Sequence, residues 1–114
     1  MDRRKELQRQ YKLSKPEMGV FCICSQADGR CLVQGSQDLK SAINSSKFKL
    51  SAGMHPNREL QRAWRVHGKA NFRIEVLERL PYDEDGERTD YSEDLEILAL
   101  TWREHLVQEE KDLF

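Results

Sequence analysis

The chain has 114 residues, of which 38% are hydrophobic and 34% charged, and its formal net charge is −1. That length suits one domain, residues 1–114, with one modest core, and no apolar run approaches the ~20 residues needed to span a bilayer. The amino terminus is charged from Asp2 onward and lacks a signal peptide's apolar segment, so the expectation is a cytoplasmic protein with no membrane partner. Residues 1–82 hold 16 Lys and Arg against 8 Asp and Glu, whereas residues 83–114 hold 3 against 12. This asymmetry fits a polyanion-binding face with an acidic appendage, or two regions that complement each other within the fold.

Residues 1–15 are expected to begin with a short basic helix, with Leu7 and Tyr11 one turn apart among Arg3, Arg4, Lys5, Arg9 and Lys12, ended by Pro16. Met18–Ser36 reads as a β-hairpin, because two β-forming runs flank Asp28-Gly29 and glycine accepts the positive φ of a tight turn. A three-residue loop would put Phe21 and Ile23 on the face of Val33 and Gly35. A two-residue loop would put Phe21 and Val33 on opposite faces. Cys22, Cys24 and Cys31 all lie in the hairpin, and their odd number and spacing are expected to reflect packing rather than a disulfide framework or a zinc site.

In residues 37–50, Leu39 and Ile43 are helically spaced, but Asn44-Ser45-Ser46 competes for backbone hydrogen bonds. A short or broken helix is expected, then a loop carrying Phe48 and Leu50 inward. Asn57–His67 is the clearest helix, with Asn57 as N-cap, a stripe of Leu60, Ala63, Trp64 and His67, and Gly68 as a left-handed C-cap. Arg58, Arg62 and Arg65 lie off that stripe. Phe72–Leu80 alternates as a third strand with Phe72, Ile74 and Val76 on one well-buried face. Residues 83–114 make an acidic loop, a helix capped by Asp90 or Ser92 with a stripe of Leu95, Leu98, Ala99, Trp102 and Leu106, and an acidic tail expected to fray.

Gly19-Val20-Phe21 and, eleven residues on, Val33-Gln34-Gly35 resemble the paired tripeptides of the GIY-YIG nucleases. Gly53-Met54-His55, Asn57, Leu60-Gln61, Trp64, His67-Gly68, Phe72 and Glu75–Glu78 follow the pattern of small stand-alone bacterial members, so the resemblance runs from about Arg4 to Leu106. It implies an α/β (α+β) fold with a small three-stranded, largely antiparallel sheet flanked by helices. The resemblance also implies a hairpin tyrosine near the attacking water, an arginine on the next helix and a glutamate holding one divalent metal on a later helix. Here the two tyrosine positions are Phe21 and Val33. The arginine position falls at Ser41, Ala42 or Ile43, and no Arg occurs between Cys31 and Asn57. The glutamate position is Ala99, with Glu96 one turn earlier the nearby substitute.

The expected function is therefore a domain that binds nucleic acid, DNA non-specifically, without efficient phosphodiester cleavage. Lys5, Arg9, Arg58, Arg62, Arg65 and Lys69 are the expected phosphate contacts. No cofactor and no metal ligands are expected. Two other readings stay open: an endonuclease using His55, Glu96 and Mg²⁺ or Mn²⁺, and a non-catalytic module that binds a protein partner through its acidic carboxy-terminal region.

Overall fold

The computed structural model describes residues 15–84 and 86–114; the expected basic helix, with Lys5 and Arg9, lies outside them. The chain order is β1 (Met18–Ser25), β2 (Arg30–Ser36), α1 (Leu39–Ala52), α2 (Arg58–His67), a 3-10 turn (Lys69–Asn71), β3 (Phe72–Leu80), α3 (Ser92–Gln108) and β4 (Asp112–Leu113). The sheet runs β3-β1-β2-β4, with β1 antiparallel to both its neighbours and β4 parallel to β2. This is an α+β fold with a mixed four-stranded sheet, one short strand more than expected.

The central strand, β1, is apolar along nearly its whole length because helices cover both its faces. Phe21 and Ile23 pack with Leu39 and Leu50 of α1 and Leu60 of α2. Val20 and Cys22 pack with Val33 of β2 and with Ala99 and Leu106 of α3. The hairpin register settles this division. Ser25 pairs with Arg30 and Cys22 with Val33, so four residues form the turn and Phe21 and Val33 take opposite faces. The three-residue loop is thereby excluded. Gly29 supplies φ 64° and donates its N–H to Ser25 O at 3.0 Å. Asn71 braces the turn, donating to Ser25 Oγ at 2.8 Å and accepting from the Ala27 N–H at 2.9 Å.

The same register sets Cys24 directly opposite Cys31, and these two form a disulfide, a correction to the expectation of three unlinked cysteines. Cys22 is a free, buried thiol whose pKa is pushed up by that burial.

Three further expectations are corrected. The helix after the hairpin is unbroken: Asp38 accepts from the Ser41 N–H at 3.1 Å, Leu39, Ser46 and Leu50 form its buried edge, and Gly53 closes it at φ 75°. Asn44 and Ser45 lie on the exposed side, and Phe48 points outward, 68% exposed. The third strand is an edge strand whose Phe72, Ile74 and Val76 are only half-buried. Its register shifts, Val20 facing Glu78 but Phe21 facing Val76, so Leu77 is the extra residue of a bulge. Leu77 thus packs against the α3-side cluster while Val76 packs on the other. The tail does not fray: Asp112 and Phe114 donate to Gly29 O and Cys31 O, and the Arg30 guanidinium lies 4.6 Å from the centre of the Phe114 ring.

Helix α2 follows the expectation at its start, where Asn57 accepts from the Leu60 N–H at 3.0 Å. At its end Gly68 has φ 81° with ψ 163°, a positive φ but not the left-handed helical cap that was expected. Helix α3 carries the expected buried stripe of Leu95, Ala99 and Leu106, but its N-cap is Tyr91 rather than Asp90 or Ser92 and makes no side-chain capping bond; Asp90 accepts from the Ser92 N–H at 3.0 Å just ahead of the helix. Gly35 lets α3 approach β2 closely: a Cβ there would lie 3.1 Å from Leu95 O. No helix among the described residues is long and apolar enough to cross a membrane.

Candidate functional site

Four positions matter first, those where the family resemblance implies tyrosines, arginine and glutamate. Phe21 is fully buried on the α1 and α2 side, and Val33 is buried on the α3 side beside Ala99. Ala42 is half-buried on α1 and packs against the Phe21 cluster. None of the four side chains can hold a metal, donate a proton or carry charge.

Beside Ala99, between the end of β2 and α3, opens a cleft of about 540 Å³ that includes Gln34, Gly35, Leu95, Glu96 and Arg103 in its lining. Arg103 is half-buried and donates from Nη2 to Val33 O at 2.8 Å. No carboxylate among the described residues pairs with it. Arg103 is not among the residues expected from the sequence, because the family resemblance implies an arginine on the helix after the hairpin. The available signal was its place one turn beyond Ala99, at the border of the α3 apolar stripe.

His55 and Glu96 are not brought together. His55 is buried in the connection between α1 and α2, where its Nδ1 accepts from the Asn57 N–H at 3.0 Å. Its own N–H donates to Gln61 Oε1 at 3.0 Å, and Gln61 in turn donates to Leu50 O at 3.0 Å. Burial, and then the positive charge of Lys49, hold His55 below the ordinary histidine range. A neutral ring accepting at Nδ1 carries its proton on Nε2. Glu96 is exposed on α3, across the sheet. Among the described residues no group of three His, Cys, Asp or Glu side chains is arranged to hold a metal ion.

The expected phosphate-binding arginines do come together. Arg58, Arg62 and Arg65 line an open groove of about 550 Å³ with Gly53, Met54 and His55. All three are exposed, and Lys69 follows, exposed, in the 3-10 turn. Gly53 leaves room for the groove, since a Cβ there would sit 3.0 Å from the Arg65 guanidinium. Other arginines are committed: Arg30 to Glu59, Arg73 to Glu75, Arg79 to Glu17, and Arg88 to Asp83 and Asp94. Among the described residues no carboxylate pairs with Arg58, Arg62 or Arg65.

The architecture defines the class: this is a GIY-YIG-like fold. Similar solved structures are the catalytic domain of the homing endonuclease I-TevI (TM-score 0.65, 22% identity, 83% of this chain and 94% of that one) and a point mutant of the I-TevI catalytic domain (TM-score 0.64, 22% identity, 84% and 90%). No family model matches the chain, and no curated protein does.

Proposed function

We propose that this protein binds nucleic acid through the phosphate backbone and does not hydrolyse it efficiently. The observation that carries the binding half is the groove in which Arg58, Arg62 and Arg65 stand without carboxylate partners. Helical spacing repeats the cations about every 4.5–6 Å along α2, at about 1.5 Å per residue, so they can follow one strand of phosphates without disturbing Leu60 or Ala63 beneath. Phosphate contacts of this kind position a protein and carry no sequence information, which supports non-specific binding. DNA is the expected form.

The side chains at Phe21, Val33, Ala42 and Ala99 support the second half. An arginine that stabilises phosphoryl-transfer charge is worth about 10³- to 10⁵-fold in rate, and here that position falls at Ser41, Ala42 or Ile43, none of them charged. A divalent metal fits the remaining donors poorly. The position for its carboxylate is the buried Ala99, and Glu96 has no second carboxylate beside it in the cleft lining to complete a ligand set.

Fluorescence anisotropy with labelled duplex, read against salt, tests the binding. Replacing Arg58, Arg62 and Arg65 together by Gln should weaken it and flatten the slope of log K against log salt by about 0.9 for each duplex phosphate no longer neutralised. Unchanged affinity and slope in the folded variant would reduce these arginines to a solvated face. A nicking assay with Mg²⁺ or Mn²⁺ tests the other half, and cleavage removed by Glu96→Gln would restore the enzyme reading. One observation favours the protein-interaction reading: Ile97, Leu100 and Val107 are 59, 52 and 55% exposed on the outer face of α3, among acidic residues. Salt-insensitive affinity for DNA, or none, would move that reading ahead.

A further inference from the structure

The cleft between β2 and α3 lies on the other face of the sheet from the α2 groove; two of its polar side chains are uncommitted, and a third, Arg103, has donors to spare. Gln37 bonds Thr89 O and the Tyr91 N–H, Ser36 bonds Asp38, and Ser92 bonds Asp90. Gln34 and Glu96 make no hydrogen bond or ion pair among the described residues. Arg103 gives one N–H to Val33 O, and a guanidinium has five. The order along α3 matters. Glu96 and Arg103 stand two turns apart, about 10.5 Å along the axis at about 1.5 Å per residue, with Leu95 and Ala99 as an apolar floor between them.

We infer that this cleft is a binding pocket for a nucleotide unit whose base carries an amino group, with the phosphate at Arg103 and the base edge at Glu96. A guanidinium is the side chain best matched to phosphate oxygens, since it offers paired donors in one plane. A carboxylate accepts from an exocyclic amine such as the N4 of cytosine and repels a carbonyl oxygen at the same place. The apolar floor takes the flat ring, and the span from Glu96 to Arg103 is comparable with the reach from a nucleotide's phosphate to the far edge of its base. An open cleft of about 540 Å³ is in the size range of small-molecule sites. The inference goes beyond backbone binding by α2 and stands on different residues.

Calorimetric titration of the full chain with cytidine 5′-monophosphate, cytidine and uridine 5′-monophosphate tests it, with a four-nucleotide oligo-dC to distinguish a free nucleotide from an unpaired one in a strand. Cytidine monophosphate or the oligonucleotide should bind, about tenfold or more tighter than cytidine, and the uridine nucleotide should bind more weakly than its cytidine counterpart. Arg103→Gln should remove about tenfold or more of the affinity, and Glu96→Gln should remove the preference for cytosine over uracil. If Arg103→Gln fails to fold, competition by inorganic phosphate on the unaltered protein and the charge-conserving Arg103→Lys give the same information. The Arg58, Arg62 and Arg65 triple variant should keep cytidine monophosphate binding intact. Equal binding of nucleotide and nucleoside, no binding of either nucleotide form, or loss of binding in the triple variant would overturn the pocket, while backbone binding by α2 would stand or fall on its own salt dependence.

Discussion

His55 illustrates how a residue singled out for chemistry can have a structural role. It sits where the chain turns from α1 into α2, and its ring nitrogen satisfies the part-buried Asn57 N–H. His55→Ala should therefore destabilise by about 1–3 kcal/mol, the desolvation penalty of an unmet buried donor. The pH dependence has a definite sign. The folded pKa lies below the unfolded one, so the unfolded state takes up the proton first. The contribution of His55 is complete above the unfolded value of about 6.5 and is lost as pH falls towards the folded value. Urea titrations between pH 8 and pH 5 should show stability declining on acidification, and a smaller decline in His55→Ala. An identical decline in both would place its origin in other groups. Gly19 tests backbone proximity in the same way: an added Cβ would lie 2.0 Å from Glu78 O, inside the central strand pair. Gly19→Ala should cost about 3 kcal/mol or more, read by denaturation, because backbone on both sides must move.

Elements behave differently according to what covers them. Helix α1 exposes Phe48 on the side away from its buried edge of Leu39, Ser46 and Leu50. Phe48→Ser should leave stability within about 0.5 kcal/mol, the range usual for surface positions. A loss of several kcal/mol would mean that Phe48 packs inward after all. Trp64 of α2 is half-buried and lies 5.0 Å from the Phe72 ring, centre to centre. Its replacement by Ala should cost about 3 kcal/mol, the lower end of the range for core tryptophan. That side of α2 is separate from Arg58, Arg62 and Arg65, so stability and DNA affinity should be separable by mutation.

At the scale of the whole molecule, the acidic third closes several of its described ion pairs within itself. Its Arg88 pairs with Asp83 and Asp94 inside the same region, and His105 with Glu109. The α2 arginines remain without carboxylate partners among the described residues, so the described acids act on them through longer-range fields. Neutralising Glu84, Glu93, Glu104 and Glu110 to Gln should tighten DNA binding at low salt and lose that effect as screening grows. Melting temperature should change little, since exposed ion pairs contribute only ~0–1 kcal/mol each. Affinity unchanged at low ionic strength would make the acidic region a docking surface or a solubility feature.

Local chemistry was legible along the chain. The Asn57 cap, the Leu95, Ala99 and Leu106 stripe and the apolar run of β1 follow from side-chain spacing and capping, which depend on neighbours a few residues away. The family positions at Phe21, Val33, Ala99 and one of Ser41, Ala42 or Ile43 are readings of residue order alone. What the tertiary structure decided was non-local. A four-residue turn fixed the register, and with it the face of Val33 and the pairing of Cys24 with Cys31. A one-residue bulge at Leu77 let one edge strand serve both clusters, and β2 captured a tail whose own composition predicts fraying. The separation of His55 from Glu96 and the arrival of Arg103 beside Val33 have the same cause. Periodicity states which side of its own element a residue takes, whereas the meeting of two sides depends on turn length, register and helix packing, which distant residues determine jointly.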